Sequence, residues 1–251
     1  MTCFRLFGQN LVDQATITAS SENALFPLTN LLDNRRTKVF RSISNSSNIV
    51  LDFNETSDVD GVFIVASPNG FGVNTVTVEF NGTSDFTSPA FSTSVPLSTD
   101  YGIGFVEFTK ISYRFCRIVM TSTLGYCEIA KVYIGSKLAL SKGASFGWTS
   151  KDEDLSTRTR NRKGQIFTDT IGRQRSLSFG MKLLTKDDLE LIEYLLDYSG
   201  ETKPIYLTIG DNTMSADYLR NSGGFFVDDV PSVTNAYFNK YNLSFSVKEM
   251  V

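Results

Sequence analysis

Short runs that alternate apolar and polar residues, each closed by turn residues, recur along most of the chain and restrict it to β structure. Thr75–Phe80 is the clearest. Val76, Val78 and Phe80 take one face and Thr75, Thr77 and Glu79 the other, and Asn81-Gly82 then supplies a tight turn. Ala15–Ala19 and Asn48–Phe53 alternate in the same way. Gly61-Val62-Phe63-Ile64-Val65 is apolar throughout, the pattern of a central strand covered on both faces. Further strands are predicted at Phe105–Phe108, Tyr113–Val119 and Glu128–Ile134. Residues 81–104, rich in Ser, Thr, Gly and Pro, read as a long loop. Seven or eight short strands with turns between them describe a sandwich or jelly roll.

After about residue 138 the pattern changes. Lys151–Lys163 is charged and reads as a loop. Strands resume at Gln165–Thr170 and Arg175–Leu183, where Leu177, Phe179 and Met181 share a face. One helix follows, over 186–199. Thr185 is its N-cap with Asp188 three residues on, Leu184 and Leu189 sit at the staple positions, and Gly200 closes it. Its apolar stripe is Leu189, Ile192, Leu195 and Leu196. Pro204–Ile209 returns to a strand turned by Gly210-Asp211-Asn212, and strands at Gly224–Val230 and Tyr241–Val247 end the chain. The expected architecture is mainly β: an N-terminal jelly-roll β-sandwich, then a second β-sandwich or barrel with one flanking α-helix. The boundaries are an N-terminal arm at 1–14, the jelly roll at 15–136 and the second domain at 137–251. Cys3–Phe7, within the arm, is an edge strand or a segment that pairs with a neighbouring subunit.

Composition narrows the function. The chain has no histidine, which removes imidazole bases, Ser-His-Asp and Cys-His systems and most zinc sites. The acidic runs Asp152-Glu153-Asp154 and Asp228-Asp229 read as solvated, so no catalytic residue is assigned and the chain is not expected to be an enzyme. A net charge of −3 without a basic block argues against nucleic acid. No apolar stretch approaches the roughly 20 residues of a membrane span, and Met1–Asn10 lacks the apolar core of a signal peptide. Cys3, Cys116 and Cys127 contain no CxxC pair. A Cys116–Cys127 bridge is one arrangement; buried free thiols, fitting assembly in a reducing cytoplasm, are the preferred one.

Two stretches carry family resemblances. Ala19-Ser20-Ser21, Leu28-Thr29-Asn30-Leu31-Leu32-Asp33, Thr37, Phe40-Arg41-Ser42, Ile49–Phe53, Tyr113–Ile118 and Glu128–Gly135 occur in the order found in the discoidin, or coagulation-factor type C, galactose-binding-like family. By itself, Asn30–Asp33 reads as a short turn whose leucines plug one barrel end beside Phe40. The resemblance implies a calcium position at Asp33, Thr37 and Glu128, whose oxygens suit that ion. Asn34-Arg35-Arg36 departs from the family pattern: two cations oppose a metal there, and one can replace it by pairing with Asp33. The resemblance also implies glycan or phospholipid-headgroup binding at loops 42–48, 67–71 and 122–126. Phe71, Tyr101 and Tyr126 would then stack on a sugar, and Arg41 or Asn69 would bond its hydroxyls.

Arg175-Ser176-Leu177-Ser178-Phe179, Leu183-Leu184-Thr185, the helix, Gly200 and Lys203–Leu207 together resemble tailed-bacteriophage distal-tail and tail-tube-related proteins. That resemblance implies a structural protein of the virion tail, assembled in the host cytoplasm as a ring-like homo-oligomer with other tail proteins and reaching a host surface glycan. The alternative is a carbohydrate-binding module acting in cell-surface adhesion.

Overall fold

The computed structural model describes residues 3–169, 172–200, 202–210 and 219–250. In chain order the strands are β1 (Cys3–Phe7), β2 (Thr16–Ala19), β3 (Phe40–Arg41), β4 (Ser46–Val65), β5 (Thr75–Asn81), β6 (Phe91–Ser94), β7 (Leu97–Ser98), β8 (Ile103–Thr121), β9 (Glu128–Ile129) and β10 (Lys131–Gly135). They continue with β11 (Thr149–Asp154), β12 (Thr157–Arg160), β13 (Ile166–Asp169), β14 (Arg173–Leu184), β15 (Ile205–Gly210), β16 (Ser222–Asp229), β17 (Val233–Tyr237) and β18 (Lys240–Glu249). Helix α1 (Lys186–Ser199) lies between β14 and β15. The described residues are mainly β, with curled antiparallel sheets on which α1 is the long helix. The turn expected at Gly210-Asp211-Asn212 lies, beyond Gly210, outside the described residues.

Two long bent strands make the first sandwich. β4 and β8 pair along their lengths, with register shifts between Asp52 and Ser57 and between Val59 and Gly61. At the bend Asn54 takes a left-handed φ of 67°. Its amide bonds Asp52 Oδ1 at 2.8 Å and its carboxamide bonds Gln14 O at 3.1 Å. Each long strand therefore serves both layers, as a bulge allows. One layer is β2-β4-β8-β5-β6; the other adds β10 and β7 to the far ends of β4 and β8. What the sequence presents as separate strands, 48–53 with 61–65 and 105–108 with 113–119, are two continuous ones. The expected loop 81–104 also holds β6 and β7, because Phe91 and Leu97 pack on the core. Of the leucines expected to plug the barrel end, Leu31 is buried beside Phe40, whereas Leu32 is exposed and Leu28 takes the second place.

The segment expected as an arm belongs to the chain's own second sheet. β1 pairs with β15 at its edge, in the order β1-β15-β16-β18-β14-β11. Leu11–Gln14 then turns back onto the first core through Val12. The two halves meet in an aromatic cluster of Phe7, Phe63, Phe105, Tyr133 and Tyr206. This explains the unbroken apolar run 61–65. Val62 and Ile64 face the first core, and Phe63 and Val65 face the second half.

Lys151–Lys163, expected as a loop, is strand for most of its length. β11 extends the second sheet beside β14, and β12 joins β13 in a projecting hairpin whose residues are all exposed. Edge strands are commonly charged for solubility, which is why this one reads as a loop. Cys116 and Cys127 are buried free thiols.

The helix begins in a full capping box: Thr185 accepts from the Asp188 amide, and Asp188 accepts from the Thr185 amide. Asp188 also takes the Ser141 amide at 2.7 Å and its hydroxyl at 2.5 Å, tying the connecting segment to the helix. Burial works to raise the Asp188 carboxyl, but the hydrogen bonds from Ser141 and Thr185 outweigh it and hold it at about 2. Its folded pKa lies below the unfolded value, so its contribution to stability is complete above about pH 4 and is lost as the pH falls towards 2. Asp188→Asn is expected to cost about 1.5–3 kcal/mol at pH 7, the range for hydrogen bonds to a charged group. Thermal melts should show that cost shrinking as the pH is lowered from 5 to 2. A constant difference would contradict the assignment.

Candidate functional site

At one end of the first sandwich three segments are laced together. The Asn23 amide bonds Arg41 O at 2.9 Å, the Arg41 amide bonds Phe26 O at 3.1 Å, and the Ser42 amide bonds Cys127 O at 2.9 Å. β3 pairs with β9, which sets Arg41 opposite Glu128. Arg41 gives Nε to Glu128 Oε2 at 2.8 Å and Nη2 to the same oxygen at 2.5 Å. Its guanidinium lies 4.1 Å from the Phe26 ring centre and 4.5 Å from that of Tyr126. Arg41 is thus a strut whose charge and flat faces are already engaged. It is poorly placed for the hydroxyl-bonding role expected of it, and Tyr126 has one face covered. Phe71 packs at the margin of the core.

Two of the three residues named for calcium are held by arginines. Arg35 grips Asp33 through Nε at 2.9 Å and Nη2 at 2.6 Å, and its backbone amide adds a third bond at 2.9 Å. These bonds hold the Asp33 carboxyl well below the usual carboxylate range. Glu128 is taken by Arg41, and Thr37 is exposed. Among the described residues no cluster of three or more acidic or thiol ligands forms. Arg35 does what the sequence suggested a cation there can do.

Asn69 and Tyr101 fall together elsewhere. Loops 67–70 and 99–102, with Arg36, wall a cavity of about 390 Å³. Ser67 shapes the first loop: its hydroxyl donates to Gly70 O at 3.0 Å and accepts the Asn69 amide at 3.3 Å. Arg36 reaches across the second. Its Nε bonds Ala66 O at 3.1 Å, and a Cβ on Gly102, whose φ is +64°, would stand 2.8 Å from Arg36 Nη2. The left-handed φ favours glycine at that crossing, and a side chain there would also displace the tip of Arg36.

A second cavity of about 310 Å³ shares Asp100 and Tyr101 with the first and continues between the two halves. Its walls include Arg173, Arg175, Arg220, Asp152 and Glu249. Asp152 pairs with Arg220 at 2.8 Å, and Asp228 with Lys248 at 2.8 Å, so both acidic runs are engaged with cations. A larger cavity, about 690 Å³, lies between residues 4–6 and the connecting segment 137–145 and holds none of the predicted site residues. Two of its cations, Arg5 and Lys137, are both drawn to Glu107.

The sequence reading did not single out Arg175 and Glu249, although a signal for both exists. Arg175 shares the period-2 phase of Leu177, Phe179 and Met181, and Glu249 that of Phe245 and Val247. A charge in the inward phase of a strand requires a buried partner.

No protein-family model matches the chain, and no curated protein matches it. Solved structures do resemble it. CpGH89CBM32-5 from Clostridium perfringens, in complex with GalNAc-β-1,3-galactose, is 8% identical with a TM-score of 0.43, over 51% of this chain and 100% of its own. Chitosan-binding module 1, derived from a chitosanase/glucanase of Paenibacillus sp. IK-5, is 22% identical with a TM-score of 0.41, over 51% of this chain and 99% of its own. The fucose binding module SpX-3 of Streptococcus pneumoniae is 12% identical with a TM-score of 0.44, over 51% of this chain and 98% of its own. These likenesses span about half of the chain with TM-scores below 0.5, too weak to assign a ligand to it.

Proposed function

We propose that the chain is a carbohydrate-binding protein, acting in adhesion to a surface glycan, whose saccharide lies in the cavity between loops 67–70 and 99–102. The observation that carries this reading is the meeting of Tyr101, Asn69, Asp100 and Arg36 around one concave polar cup. A sugar presents an apolar C–H face and a rim of hydroxyls. An aromatic ring covers the first, and carboxamide, carboxylate and guanidinium groups bond the second. The volume falls in the range of about 300–1,000 Å³ usual for small-molecule sites.

A glycan panel followed by calorimetric titration tests it. Tyr101→Ala is expected to weaken binding about tenfold, the loss of roughly 1.4 kcal/mol expected of a stacking ring. Asn69→Ala should weaken it several-fold. Tyr126→Ala, at the Arg41 strut, should leave affinity within about twofold. A wild-type protein that binds no saccharide overturns the reading.

A second reading, assembly into a virion tail as a homo-oligomer, draws on one observation. The β12–β13 hairpin projects as its own two-stranded sheet, with Ile166 62% and Phe167 57% exposed. A lone hairpin is marginally stable in water, and a second copy would cover these side chains. Sedimentation of the full chain and of a variant lacking 157–169 tests the self-association it needs. A monomer at all concentrations ends this reading and leaves the carbohydrate reading standing.

A further inference from the structure

We propose that the cleft between the two halves binds the carboxylate of an acidic saccharide, with Arg175 as the anion-binding residue. The ligand class rests on the carbohydrate reading; the anion site rests on a separate imbalance of charge. Arg36 Nη1 and Arg175 Nη2 approach the same oxygen of Glu249, at 3.4 and 3.1 Å. The other Glu249 oxygen takes the Arg175 backbone amide at 3.4 Å. The side chains of Arg36, Glu249 and Arg175 are only 13%, 12% and 8% exposed. Two buried guanidiniums therefore share one carboxylate. Arg175 Nη1 is buried with no hydrogen-bond partner.

An unpaired buried donor on a charged group is costly, and proteins rarely leave one. Here Arg175 also lines a cavity, so an external acceptor can come against its side chain. Charge selects the acceptor. Across the two adjoining cavities, among the described residues, four arginines (36, 173, 175 and 220) face three carboxylates (100, 152 and 249), an excess of one positive charge. A carboxylate supplies one negative charge and the acceptor oxygens that a guanidinium fork matches. A phosphate monoester dianion would overcompensate. Tyr101 is common to both cavities, so a sugar ring lying on it would direct its acid group towards Arg175.

Titration of the full chain with galacturonic-acid oligosaccharides, and with neutral galactose oligosaccharides of equal length, tests this. At low salt the acid is expected to bind about 10- to 100-fold more tightly, the worth of one charge-assisted hydrogen bond. In 0.5 M NaCl the preference should shrink. Arg175→Gln should abolish most of the preference for the acid over the neutral sugar. Arg173→Ala, at the exposed rim, should lower acid binding a few-fold, and it serves where Arg175→Gln fails to fold. Equal wild-type affinity for acid and neutral sugar overturns the anion site and leaves the carbohydrate reading intact. Binding of neither sugar overturns the anion site, even where inorganic sulfate binds; the carbohydrate reading falls only if the whole glycan panel is negative as well.

Discussion

Replacing Phe7 by alanine is expected to destabilise the protein by about 3–5 kcal/mol, the usual cost of deleting a fully buried aromatic ring. Phe7 has no exposed surface. Its ring meets Phe63 at 5.1 Å, Phe105 at 5.7 Å and Tyr133 at 5.8 Å, all edge to face. It also lies on Gly61, where any Cβ would collide with it. Phe7 ends β1, an edge strand of the second sheet, yet these contacts are with the first half. Its loss therefore weakens the junction as well as the strand. Neighbouring backbone holds the cavity open, so collapse cannot recover much of the loss. Urea unfolding followed both by far-ultraviolet circular dichroism and by Trp148, which packs on the second core, checks this. The Trp148 transition is expected to move to lower urea and to separate from the bulk signal. A shift worth less than about 1 kcal/mol would show that the halves hold together without the ring. Phe7→Leu should cost less than half as much, because most of the volume remains.

The same junction shows which parts of the molecule were legible in the sequence. Helix α1 was, because its signals are local: Thr185 and Asp188 satisfy its first amides and Gly200 releases its end. The apolar run 61–65 was legible as a doubly covered strand, though its second cover was not. That cover includes Phe7 and Tyr206, far from it in sequence. β1 looks like any five-residue edge strand, and only pairing with β15 assigns it to the second sheet. The continuity of β4 and β8 was hidden because a bulge such as that at Asn54 reads as a turn. Within the candidate site, Asn69 was named from its loop and Tyr101 as a ring that would stack on a sugar. No local pattern shows that they share a cavity, or that Arg41 and Tyr126 do not belong to it. Arg36 was read as a cation opposing a metal. Its neighbour Arg35 takes that part, while Arg36 crosses to Glu249 in the last strand.

Replacing Glu249 by glutamine is expected to cost about 3–5 kcal/mol, although the two side chains have almost the same shape. Burial works against the Arg36 charge; Glu249 opposes that effect, and Arg175 adds repulsion. Glutamine keeps an acceptor oxygen but removes the negative charge, leaving two guanidiniums in a low-dielectric junction with only a neutral amide between them. Broken buried pairs cost this much because the surviving charge is uncompensated, not because the pair itself is very stabilising. The double variant Arg175→Gln/Glu249→Gln should therefore be more stable than Glu249→Gln alone. Removing the second guanidinium relieves the repulsion, so the two changes will not add. Chemical denaturation of the wild type, both single variants and the double variant measures that coupling directly. An additive cycle, or a loss below about 1 kcal/mol for Glu249→Gln, would mean that water screens the triad. The same variant also bears on the anion site. With Glu249 neutralised the excess positive charge rises from one to two, so galacturonate should stabilise Glu249→Gln more than it stabilises the wild type. A ligand that bound only through Tyr101 would raise both midpoints equally.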